Sequence, residues 1–282
     1  MISNIQHNFL IGGILFQATY AIYFVSALLY FLKIFIKNKK FNISSLILLA
    51  VGLCFNTAII INKWIHAGRP PFKTLFESLI LFSWCIILLY IIIELVHKVR
   101  VIGIFASLSS VIILTYAIFK IDVDIINLPA ALQSGWFIPH VVVYFIGYAA
   151  LFISFVTAIL YLFFPEKKKL VDNNLLGQEF LDFDQYTYKV IVFGFTMLTF
   201  GLLIGALWAK EAWGDYWVWD PKETWSLITW IVYIVYFHFR FVKGWRGKKA
   251  AWLSILGFVA ILITYLGMNM LPTASQSEHV YQ

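Results

Sequence analysis

The chain has 282 residues, 62% of them hydrophobic and 12% charged, with a formal net charge of +7 and a mean hydropathy of +0.85. A chain of this composition lacks the polar surface to cover a water-soluble globule, so its solvent is lipid, and its positive charge is a topology signal before it is a nucleic-acid footprint. The only two cysteines, Cys54 and Cys85, lie in apolar runs and form no CxxC, which excludes thiol–disulfide chemistry as the chain's work.

A bilayer core of ~30 Å takes roughly 20 apolar residues per helix. In chain order, stretches of that kind lie near 10–36, 43–65, 75–96, 101–119, 138–164, 188–209, 223–243 and 250–270. The runs are continuous, whereas barrel strands alternate apolar and polar residues, so helices are selected. The expected fold is an all-α integral membrane protein of about eight transmembrane helices, forming a single membrane domain over 1–282 with no internal repeat. No Lys or Arg occurs in the first 32 residues, so a cleavable signal peptide with a basic n-region is not expected.

Orientation follows from Lys and Arg, which cytoplasmic loops carry in excess. Lys63, Arg69, Lys73, Lys120, Lys210 and Lys222 fall on one side, and the remaining fifteen of the 21 basic residues fall on the other. Every odd-to-even connection is rich in them, which puts both termini outside. The fifteen would also attract anionic lipid headgroups. The inner connection 166–189 reads as a tether or an amphipathic surface helix. The outer loop 120–136, with Asp122, Asp124 and Pro129, leads into Trp136 and His140 at the mouth of the fifth span.

The outer loop between spans six and seven holds Trp208, Trp213, Trp217, Trp219 and Trp225, interleaved with Asp215, Tyr216, Asp220, Lys222 and Glu223. An interfacial belt accounts for one or two Trp per helix end. This density points instead to a platform on which a large flat ligand stacks, the chemistry a porphyrin offers. Iron in a porphyrin needs axial ligands, and neutral imidazole is the usual donor. His140 at the outer end of span five and His279 beyond span eight both reach the face of the Trp loop and are the candidate axial pair. His238 lies about 22 Å into span seven at 1.5 Å per residue, in the inner half of the membrane, where an ionisable group is a functional candidate for an inner haem site. Arg69 and Lys73 at the head of span three, with Lys222 at the head of span seven, are candidates for the haem propionates. His7, His66 and His97 carry less weight.

With these residues in hand, WGDYWVWDPKETWSLITW, LQSGWFIPHVVVYFIGYAA around His140, PPFKTLFESLILFSW and YLGMNM make the chain resemble the CcsA/ResC family of haem-handling proteins, marked by a tryptophan-rich "WWD" outer loop, here about 208–226. The shared core would run over about 75–282, and eight spans fit CcsA better than its six-span relative CcmC. The resemblance implies that His140 and His279 ligate haem b held against the WWD loop, and that His238 serves an inner site. It further implies a CcsB/ResB-type partner with which the chain forms a cytochrome c synthase in the cell inner membrane, presenting haem to the CxxCH motif of apocytochrome c on the outer face. The closing segment LPTASQSEHVY is longer than the family's and lacks its glycines, which bears on His279. A membrane cytochrome of the b type would need paired intramembrane histidines, and an exporter of another amphipathic ligand would show repeated halves with broken helices. Neither pattern is visible.

Overall fold

The computed structural model describes residues 13–32, 39–120, 130–164 and 182–267. Among them are eight α-helices: α1 (Gly13–Leu32), α2 (Lys39–Ala67), α3 (Leu75–His97), α4 (Ile102–Ile118), α5 (Phe137–Phe163), α6 (Phe183–Trp213), α7 (Pro221–Phe241) and α8 (Lys248–Tyr265), with a 3₁₀ turn at Ala130–Gln133. Each corresponds to one apolar stretch of the sequence. Six are long and apolar enough to cross a membrane: α1, α2, α3, α5, α6 and α8. α4 has 17 residues and is shorter. α7 is less apolar because Trp, Tyr, His and Arg alternate along it, through Trp225, Trp230, Tyr233, Tyr236, His238 and Arg240.

Two compact units divide the chain, one over Met1–Ile126 with Glu166–Leu181 and one over Asn127–Pro165 with Asp182–Gln282. In the first, α1 packs on α2 and α4, and α3 packs on α4 and α2, closing a four-helix arrangement. The head of α3 is fixed by a capping box in which the Thr74 hydroxyl accepts from the Glu77 N–H at 3.2 Å and Glu77 Oε2 accepts from the Thr74 N–H at 3.2 Å. Arg69 donates both arms of its guanidinium to the same carboxylate, at 3.0 and 3.1 Å. Arg69, Lys73 and Glu77 are all buried. At the other end of α3, Glu94 accepts from the hydroxyls of Tyr30 and Tyr90. Arg100 lies 3.7 Å from it.

In the second unit α5 and α6 form the closest pair, and α8 packs on α5 and α7. Small residues let the backbones approach, as helices in lipid require, since apolar side chains gain nothing there by leaving solvent. Gly194 faces Leu151, Gly201 faces Tyr144 and Gly205 faces the ring of His140, so a Cβ at any of the three would collide. Hydroxyl pairs add ties between helices, Thr157 with Thr187 at 2.7 Å and Thr229 with Thr264 at 2.8 Å.

Several boundaries differ from the sequence expectation, by up to five residues. α6 begins at Phe183, five residues before the expected start at 188, because Asp182 caps it and its acidic first turn is neutralised internally. Arg240 reaches Asp184 with both guanidinium arms, at 3.1 and 2.9 Å, and Asp184 also accepts from the Gly247 N–H at 2.8 Å. That knot ties the ends of α6 and α7 to the start of α8.

Candidate functional site

His140 stands in the first turn of α5, and its position is set from α6. Its Nδ1 lies 2.9 Å from the carbonyl oxygen of Gly201. A carbonyl can only accept, so Nδ1 carries the proton and the lone pair resides on Nε2, the tautomer in which imidazole ligates a metal. The ring meets Tyr144 at 4.9 Å and Trp208 at 5.4 Å, both tilted to it, and Gly205 leaves it the space. The sequence GLLIG places Gly201 and Gly205 on one face of α6, four residues apart. Of the surroundings of His140, this small-xxx-small pattern was the signal open to sequence reading.

The tryptophans form two pairs. Trp208 is buried and meets Phe137 at 5.3 Å and Trp213 at 5.0 Å. It therefore acts as a floor beneath His140. Trp217 and Trp219 meet edge to face at 5.8 Å. Trp219 is 68% exposed and has φ +58, a left-handed conformation that a bulky residue rarely adopts. Glu223 holds that conformation from both sides, its Oε2 accepting from the N–H of Val218 at 3.0 Å and of Asp220 at 3.2 Å. Asp220 in return caps α7, accepting from the Lys222 N–H at 2.7 Å and the Glu223 N–H at 3.4 Å. The DPKE segment is a capping box with proline in the first turn, and its second task is to present an exposed indole. The indole N–H of Trp217 is buried without a hydrogen-bond partner. Trp225 lies inside α7, where its carbonyl accepts from the Thr264 hydroxyl at 3.1 Å.

Lys222 follows the cap, and burial pulls its ammonium down to about 8, with Asp220 pulling the other way. His238 is exposed near the far end of α7, its ring against Phe239 at 5.7 Å. Arg69 and Lys73 belong to the first unit, and the guanidinium of Arg69 is committed to Glu77. His279 and His7 lie outside the described residues, as do Asp122, Asp124 and most of the connection 166–189.

Thus His140, Trp208, Trp213, Trp217, Trp219, Asp220 and Lys222 all lie in one unit, His140 against Trp208 of α6 and the others at or near the connection between α6 and α7. Residues 72–274 match the model of the cytochrome c assembly protein family. The chain belongs to the CcsA family of cytochrome c assembly proteins. The cytochrome c biogenesis protein CcsA of Chlorella vulgaris is 35% identical over 96% of each chain, and that of Prochlorococcus marinus is 35% identical over 84% of each. The CcsA of Guillardia theta reaches 37% over 77% of this chain and 80% of its own. Among solved structures, the cytochrome c haem lyase CcmF shares the fold with a TM-score of 0.64 at 17% identity, over 92% of this chain and 46% of CcmF. The chain thus spans less than half the length of that protein.

Proposed function

We propose that this CcsA-family chain binds haem b as a substrate at the outer face of the cell membrane and presents it to apocytochrome c for covalent attachment, together with a CcsB/ResB-type subunit. In this reading all eight helices span, both termini lie outside, and the α6–α7 joint faces outward. The observation that carries it is the hydrogen bond from His140 to Gly201, which holds the imidazole in its ligating tautomer beside the tryptophans of a cytochrome c assembly fold.

The residues fit such a substrate in three ways. His140 offers Nε2 to iron, with His279 the candidate for the opposite side. Trp219 offers an exposed face for stacking. The Trp217 N–H and the Lys222 ammonium are donors of the kind a propionate accepts. His238, exposed on α7, offers an imidazole where a second molecule could reach it. Haem supplies the vinyl groups that the cytochrome's thiols attack, and this chain's residues supply position.

The test is an absorption spectrum of the protein purified with its partner, alongside a count of c-type cytochromes in cells lacking the chain. A six-coordinate low-spin haem that weakens in the His140→Gly and His279→Gly variants, with loss of holocytochrome c in the deletion strain, is the expected result. Haem-free protein from cells that still mature cytochrome c would sink the reading.

A further inference from the structure

The first unit buries four polar groups that its packing does not explain. Ser26, Asn56, Ser83 and Ser110 are fully buried, one on each of α1, α2, α3 and α4. The three serine hydroxyls and Asn56 Oδ1 have no hydrogen-bond partner. Other hydroxyls of the same helices return to their own backbone: Thr19 to Leu15, Ser78 to Leu75, Ser107 to Gly103 and Ser109 to Ala106. The four orphans do not.

Contacts between the helices place all four at one depth. Phe16 meets Phe76 at 5.8 Å and Tyr30 meets Tyr90 at 5.8 Å. These pairs have equal spacing along α1 and α3, so the two helices run in parallel register and Ser83 is level with Tyr23. Asn56 Nδ2 donates to the Tyr23 hydroxyl at 3.4 Å, and the Trp84 indole donates to Thr57 at 2.8 Å, which puts Asn56 on the same level. On α4, Thr115 meets Tyr20 at 3.1 Å while Gly103 abuts the rings of Tyr30 and Tyr90, so α4 runs antiparallel to α1 and Ser110 stands opposite residues 24–25. Ser26 lies three residues beyond Tyr23. At a rise of 1.5 Å per residue the four groups fall within about 5 Å along the bundle.

We propose that the interior of this unit holds a small cluster of ordered water at that level, bonded by Ser26, Asn56, Ser83 and Ser110, with the Tyr23 hydroxyl as a further donor. Groups buried in an apolar surround are satisfied or costly, and one buried water typically makes about three hydrogen bonds. The donor set selects the ligand. It is neutral, with three hydroxyls and one amide oxygen. The two buried carboxylates of α3 are engaged elsewhere, Glu77 with the Arg69 guanidinium and Glu94 with the Tyr30 and Tyr90 hydroxyls. Such a set suits water and offers no counter-charge to an ion. It makes the middle of this unit a hydrated site inside lipid, separate from the tryptophan joint of the second unit.

Radiolytic hydroxyl-radical footprinting of the full chain in nanodiscs tests the proposal, because bound water generates radicals in place. Oxidation of fully buried Tyr23 at a level comparable to exposed Tyr216 is expected, and its loss in a Ser26→Ala, Ser83→Ala, Ser110→Ala triple variant. A Tyr23 left unmodified while Tyr216 is oxidised overturns the proposal. Thermal unfolding of Ser83→Ala, Ser110→Ala and their double variant gives a second measurement. A shared water makes the two changes non-additive although the serines make no direct bond. Two independent, additive rises in Tm would mean dry, orphaned hydroxyls and would also overturn it.

Discussion

The Nδ1–H of His140 points at the carbonyl oxygen of Gly201, 2.9 Å away on the neighbouring helix. Gly201 can serve because it has no side chain, which lets the ring of Tyr144 lie against it, and Gly205 one turn later leaves room for the imidazole itself. The orientation of the candidate iron ligand is therefore a property of the α5–α6 seam.

This relationship predicts that a change at Gly205 behaves like a change at the ligand. A Cβ there would come within 2.7 Å of the imidazole, so Gly205→Ala should displace the ring and weaken the low-spin spectrum of bound haem. Imidazole added to His140→Gly should restore part of that spectrum, since the vacated space fits it. It should not restore Gly205→Ala, whose own histidine still fills the space. Equal rescue of both variants would refute the positioning role of Gly205.

Trp217→Phe keeps an aromatic face and removes the unpartnered N–H. If that N–H donates to a haem carboxylate, haem retained on purification should fall by about tenfold or more, the value of a hydrogen bond to a charged group of about 1.5 kcal/mol or more. Protein yield should not fall. Retention equal to the parent's would assign Trp217 to packing.

Lys222 gives a pH dependence of definite sign. Its ammonium is held down to about 8 by burial, so it is charged below that pH and neutral above it. If it pairs with a carboxylate of haem, binding takes up a proton above pH 8, and retention should fall by up to about tenfold per unit there. Lys222→Met should be weaker at pH 7 and flat across the same range. Stability of the haem-free protein runs the opposite way: the unfolded chain binds the extra proton between about 8 and the ordinary lysine value of 10.5, so this group's contribution to folding improves as pH rises through that window. A haem-retention profile for the parent that is flat from pH 7 to 9.5 would remove Lys222 from the site.

Arg240→Met removes a buried guanidinium and leaves the partly buried carboxylate of Asp184 with only the Gly247 N–H. Leaving a partly buried carboxylate without its counter-charge costs up to about 3 kcal/mol, the low end of the range for a fully buried pair. The variant should unfold at a clearly lower temperature, while the protein that remains folded keeps the haem spectrum of the parent. A changed spectrum at unchanged Tm would mean that Arg240 acts on the site and not on the fold.

The residues alone determined that this is a membrane-embedded helical chain, because a long apolar run satisfies its backbone in lipid only as a helix, and each apolar stretch from 10–36 to 250–270 has its helix. They also marked the tryptophan loop and His140, since aromatic density and an imidazole at a helix mouth are local facts of composition. Only the tertiary structure decided which way the imidazole faces, because the bond to Gly201 joins residues 61 positions apart. It likewise decided that Trp208 is a buried floor while Trp219 is an exposed face, since an indole's burial depends on the helix packed across from it. Arg69 illustrates the same limit: beside a helix head it read as a cation for an anionic ligand, and folding spent its guanidinium on Glu77, eight residues away, where two charges leaving water together are best satisfied by each other.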